Sequence, residues 1–175
     1  MKKTCISFAL ILIIIALTAV FSNFQSNNDG ASTEYLRIHI RANSNDATDQ
    51  SVKYEIKDMV VTYLTPKIEN VTSKSKAISI LEQEKNNVNG LIDGFLAAKG
   101  FDYGAKTVIR NELFPTRIYE DLTLGAGYYD AVIIELGEAK GDNWWCVVYP
   151  PLCFTEDKVT YKSFIVEFIQ KFFNK

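Results

Sequence analysis

Apolar residues follow different rhythms along this chain, and each rhythm predicts a different element. From Cys5 to Phe21 they form an almost unbroken run, preceded by Met1-Lys2-Lys3 and followed by polar Ser22-Asn23. From Tyr35 to Arg41 they alternate, with Leu36, Ile38 and Ile40 on one side and Arg37, His39 and Arg41 on the other. That alternation predicts a strand with one buried face. Asn43-Ser44-Asn45-Asp46 then supplies turn and capping side chains.

Helical spacing takes over after the turn. Val52, Ile56, Met59, Val60 and Tyr63 line one side of a helix expected from about Ala47 to Leu64, with Pro66 as its end. A longer helix is expected from about Ser73 to Lys99, on the stripe Ile78, Leu81, Val88, Leu91, Ile92 and Phe95, with Gly100 as its stop. Gly90 and Gly94 fall inside it, where they either weaken the helix or let another element come close.

Strand patterns dominate the next stretch. Thr107 to Phe114 reads as one strand, and Leu122–Leu124 and Tyr128–Leu136 as a hairpin around Gly125-Ala126-Gly127. Trp144 to Tyr149 follows the turn at 137–142. A last helix is expected from Asp157 to Asn174, with Val159, Phe164, Ile165, Phe168, Ile169 and Phe172 on a face wide enough to pack on the sheet or to meet a membrane or partner. The order β-α-α-β-β-β-β-α predicts an α+β fold, a single domain with helices packed on a mainly antiparallel sheet.

The N-terminal run changes the compartment. A positive flank, an apolar core and a polar exit make residues 1–22 a signal peptide, or an uncleaved N-terminal membrane anchor, since the run is near the lower limit for a spanning helix. Either way Lys2 and Lys3 leave the remainder outside the cytoplasm. Residues 23–34 form a polar linker and 35–175 the exported domain, with its C-terminal helix at 157–174. The chain has 19 basic and 21 acidic residues, and without Lys2 and Lys3 the remainder is near −4. No basic stripe is present, so nucleic acid is not an expected partner.

Both tryptophans, and Cys146 and Cys153 of the three cysteines, fall between Asn143 and Phe154. Pro150-Pro151 between the cysteines imposes an extended strand followed by a stiff corner. Such a corner accommodates a structural disulfide, and also a buried strand with reduced thiols or a reactive or metal-binding pair. A loop this short gains roughly 2–3 kcal/mol from closure. Trp144 and Trp145 point to opposite faces of any strand, which puts at least one in the core.

Enzymatic signatures are weak. His39 is the lone histidine, and Arg37 and Arg41 beside it disfavour its imidazolium form. No G-x-S-x-G elbow, phosphate loop, dinucleotide glycine pattern or metal-ligand spacing occurs, so no cofactor or metal is expected. One polar constellation has no obvious role in folding: Arg37, His39, Arg41, Asn43, Ser44, Asp49, Gln50 and Lys53. It reads equally as a local cap network, in which Ser44 or Asp46 accepts helix N–H groups, or as a recognition surface exposed on the sheet.

These residues carry a resemblance. Leu36 to Ser44 followed by Asp49-Gln50 and Lys53 resembles the opening of the stage II sporulation protein R family. Phe114-Pro115-Thr116-Arg117 and Ala126 to Ala131 resemble its middle, and Gly141 to Cys146 with Pro150 to Phe154 its closing signature. Asn45 stands where the family pattern has an acidic residue, and Gly125 where proline commonly precedes Ala-Gly.

The resemblance implies a signal rather than a catalyst. Members are made in the forespore and exported into the space between forespore and mother cell. There they activate a membrane-embedded aspartic protease, which removes the pro-sequence of the mother-cell sigma factor. The expected partner is the extracytoplasmic part of that protease, with membrane contact through the N-terminal segment if it is not cleaved. Candidate contact surfaces are the polar constellation and the corner carrying Trp144, Trp145, Pro150 and Pro151. The alternatives are a small extracytoplasmic hydrolase using His39, and a ligand-binding module.

Overall fold

The computed structural model describes residues 34–155 and 163–174. The leader at 1–22, the linker up to residue 33, and residues 156–162, within which the expected last helix begins, lie outside the described residues. Five strands and three helices of the expected order are present among the described residues, with one short strand added: β1 (Leu36–Arg41), α1 (Ala47–Ile68), α2 (Lys74–Ala98), β2 (Ala105–Phe114), β3 (Arg117–Tyr119), β4 (Leu122–Leu124), β5 (Gly127–Leu136), β6 (Asn143–Tyr149) and α3 (Ser163–Phe173).

The main sheet has the order β2-β5-β1-β6. Its β2–β5 and β1–β6 pairs are antiparallel, and β1–β5 is parallel. The α+β expectation holds, with a mainly antiparallel, mixed sheet. Leu36, Ile38 and Ile40 face the helices beside Val132, Ile134, Cys146 and Val148, and pack there with Val52, Ile56, Met59, Leu91 and Phe95.

The expectation that β1 buries one face is corrected. The β3–β4 hairpin lies over the opposite face, where Phe114, Leu124, Tyr129, Ala131, Ile133 and Val147 form a second, smaller core. The molecule thus has three layers: helices, sheet and hairpin. Covering both sheet faces explains why Ala131 to Ile134 of β5 are buried without alternation.

Hairpin pairing also differs from expectation. Leu122–Leu124 pairs with Arg117–Tyr119, while β5 pairs with β2. The tight turn falls at Glu120-Asp121, where Glu120 takes φ 49°, and Gly125-Ala126-Gly127 is the connection between sheets.

Helix ends follow their local chemistry. Ser73 caps α2 by accepting from the Lys76 N–H at 3.2 Å. Gly100 (φ 84°) ends it, with Gly100 N–H donating to Ala97 O and Phe101 N–H to Leu96 O, a Schellman motif. Pro66 does not stop α1 as expected. It falls in the last turn, where one missing N–H is tolerable, and Ile68 beyond it is fully packed. The last helix packs on α1 and α2 rather than on the sheet. Phe168 meets Phe95 edge-on at 5.2 Å, and Phe173 stacks on Tyr63 at 5.2 Å. A Cβ on Gly94 would sit 3.4 Å from the Phe172 ring, so the two glycines of α2 do permit a close approach.

Candidate partner-binding site

The polar constellation separates into three parts. Asn43, Ser44, Asp49 and the backbone of Gln50 build the β1–α1 turn. Asp49 accepts from Asn43 Nδ2 at 2.8 Å, Ser44 Oγ at 2.6 Å and Tyr103 OH at 2.6 Å. Burial alone raises its carboxyl, but the bonds from Ser44, Tyr103 and Asn43 outweigh that and hold it below its ordinary value. Asn43 Oδ1 accepts from Glu138 N, and Asn45 Oδ1 from Asp142 N, so the turn is locked to the 137–142 loop. Gly137 and Gly141 allow this contact: a Cβ on Gly141 would collide with the Ser44 carbonyl. Asp46 is the N-cap residue but makes no side-chain cap bond; its N–H donates to Ser44 Oγ. A cap network is therefore present, in a form different from the expected one.

Arg37 and His39 are not on an exposed face. Both are wholly buried beneath the hairpin. Arg37 Nη2 donates to Tyr119 OH at 2.8 Å, and its guanidinium lies over the rings of Phe114 (4.2 Å) and Tyr129 (4.7 Å). Its Nε and Nη1 have no hydrogen-bond partner. His39 stacks on Phe114 at 5.3 Å and meets Trp145 at 4.6 Å. Burial, then the charges of Arg41, Arg110 and Arg37, push its pKa down to about 3, so the ring is neutral. Its Nε2 lies 3.4 Å from Glu112 Oε1, but neither ring nitrogen makes a hydrogen bond, and a neutral ring makes no ion pair. Arg41, half-buried, joins Glu112 and Glu135, which Arg110 also engages.

Gln50, Lys53 and Trp145 come together at the surface. They line an open cleft of about 440 Å³ with Tyr54, Arg117 and the 141–143 segment. Lys53 is 1% exposed, and its Nζ donates to Gln50 Oε1 at 2.6 Å and to the Asp142 carbonyl at 3.0 Å. Burial lowers its pKa, and Asp142 opposes that only in part. Arg117 is exposed and holds its guanidinium 5.5 Å from the Trp145 ring. Sequence reasoning missed Arg117, Tyr54 and Asn143. Arg117 and Asn143 fall within the stretches that carry the resemblance, a signal that was available.

Trp144 turns the other way and packs on the helix-side core. Pro150 is exposed and Pro151 half-buried at the following corner. Cys146 and Cys153 form a disulfide across that corner, with Cα atoms 6.4 Å apart. Among the described residues no group of three His, Cys, Asp or Glu is placed to hold a metal, and no helix is long and apolar enough to cross a membrane.

The sequence model of the family described as stage II sporulation protein R matches residues 32–159. The chain is also 30% identical over 163 residues to the stage II sporulation protein R of Bacillus subtilis (strain 168), an alignment spanning 89% of this chain and 73% of that relative. No solved structure matches. A family match running from before β1 to beyond β6 takes in all six strands and both long helices, so this chain belongs to the stage II sporulation protein R family and has a role in sporulation.

Proposed function

We propose that the protein is an exported signal of endospore formation, acting in the space between forespore and mother-cell membranes. It binds the extracytoplasmic part of a membrane-embedded aspartic protease and shifts that protease toward its active state, and the protease then processes the mother-cell pro-sigma factor. The observation that carries this reading is the family match across all six strands and both long helices. Two features support it. The apolar N-terminal run is the pattern of an export signal, and the Cys146–Cys153 disulfide suits an oxidising space outside the cytoplasm. A non-catalytic role is supported by the enclosure of the lone histidine, which solvent and substrate do not reach.

The test is co-expression of the full chain with a sporulation-type membrane aspartic protease and its pro-sigma-factor substrate in a non-sporulating cell. Processing that requires both proteins is the expected result. Absence of processing, with the exported domain folded and in the right compartment, would contradict the reading.

A further inference from the structure

The cleft beside Trp145 brings together two cations, Lys53 and Arg117. Lys53 is almost wholly enclosed, yet its hydrogen bonds go to neutral oxygens, those of Gln50 and of the Asp142 carbonyl. Among the described residues no carboxylate comes within ion-pair distance of Lys53 or of Arg117; that of Asp142, on the same cleft, acts on Lys53 from farther off and offsets its burial only in part. A buried ammonium is ordinarily paired with an anion, because hydration lost on burial has to be replaced. Arg117 reaches over Trp145 from the hairpin, and Lys53 approaches from α1, so the two charges flank one open space. The chain as a whole is slightly acidic, which makes this a local feature and not part of a general positive field.

A third group narrows the ligand. Asn143 lines the same cleft and has a buried side-chain oxygen with no hydrogen-bond partner. A peptide N–H is a donor that satisfies it; inorganic phosphate, mostly acceptor oxygens, is poorly suited. The Trp145 and Tyr54 rings give apolar area for the stem of a side chain, and about 440 Å³ accommodates one residue with its flanking peptide bonds.

We propose that the cleft receives an acidic side chain of a peptide segment, its carboxylate between Lys53 and Arg117 and its backbone N–H toward Asn143. The proposal rests on the function above in that the partner's extracytoplasmic part carries the segment.

The experiment follows the Trp145 indole N–H resonance of the full chain in non-ionic detergent, assigned through W145F. The probes are acetyl-Ala-Glu-Ala-amide, its glutamine counterpart and inorganic phosphate. The glutamate peptide should shift the resonance saturably, and the glutamine peptide and phosphate should bind about tenfold more weakly or worse. R117A, at an exposed position, should weaken the glutamate peptide about tenfold, with partial recovery in R117K. K53M is a second variant, read only if its spectrum stays native. Equal binding of the glutamine peptide or of phosphate, no saturable shift, or no effect of R117A would overturn the proposal.

R117E in the co-expression assay separates the two claims. Processing driven by the wild-type chain and unchanged by R117E would overturn the cleft while leaving the signalling function standing. If the wild-type chain drives no processing, the function falls and the titration alone decides the cleft.

Discussion

The guanidinium of Arg37 donates to the Tyr119 hydroxyl at 2.8 Å, tying the central strand of the sheet to the hairpin laid over it. Arg37 is fully enclosed, and its remaining polar contacts are with aromatic faces. The two partners therefore differ in what their removal does.

Tyr119→Phe leaves a buried charge with no hydrogen bond and should cost roughly 1.5–3 kcal/mol. Arg37→Leu removes the charge together with its need for a partner, and should be close to neutral or cost less than Tyr119→Phe. Urea denaturation of both variants checks the order. A larger loss from Arg37→Leu would mean that cation–π contact, not relief of burial, dominates.

His39 makes stability depend on pH. The unfolded chain takes up a proton as pH falls below the ordinary value of 6.5, while the folded ring resists until about 3. Its contribution is full above 6.5 and is lost progressively as pH falls from there toward 3. His39→Phe, which keeps an aromatic ring beside Phe114 and Trp145, should remove that part of the slope. Asp49 acts in a separate window: its stabilisation is present above the ordinary 3.8 and is lost as pH falls below it. Denaturation midpoints from pH 7 down to pH 3 distinguish the two. His39→Gln and His39→Phe should both keep signalling activity wherever they fold, and loss of signalling in folded protein would revive the hydrolase reading.

Two glycines should respond oppositely to alanine. At Gly141 the added Cβ meets the rigid backbone carbonyl of Ser44, so Gly141→Ala should destabilise by about 2 kcal/mol or more through the loop lock. At Gly94 the neighbour is the movable Phe172 ring, and gain in helix propensity, up to about 1 kcal/mol, offsets the tight contact. Thermal unfolding of both variants checks the signs.

Removing the disulfide through Cys146→Ala with Cys153→Ala should lower stability by about 2–3 kcal/mol. A reducing buffer should lower the wild-type denaturation midpoint and leave the double variant unchanged. An equal response of both would show that the cysteines are reduced in solution.

Much of this fold is legible residue by residue. Alternation places Leu36, Ile38 and Ile40 toward the helices, Ser73 and Gly100 bound α2, and the Gly90/Gly94 pair marks where α3 comes close. These signals are local, and local physics decides them. The burial of Arg37 and His39 depends on a distant hairpin whose strands are three residues each, too short to announce a covering layer. The turn at Glu120-Asp121 carries no glycine, since Glu120 itself adopts positive φ, so the glycines at 125 and 127 are the stronger local turn signal. The cleft was half visible: Gln50, Lys53 and Trp145 stood out, but Arg117 joins them only through the pairing of β3 with β4.

The central claim is that the signal is delivered from outside the cytoplasm. Its most direct test compares two versions of the chain in the co-expression assay, one exported and one confined to the cytoplasm by deletion of residues 1–22. Processing with the exported version alone is the predicted result. Processing by the cytoplasmic version, or none with a folded exported domain, would contradict it.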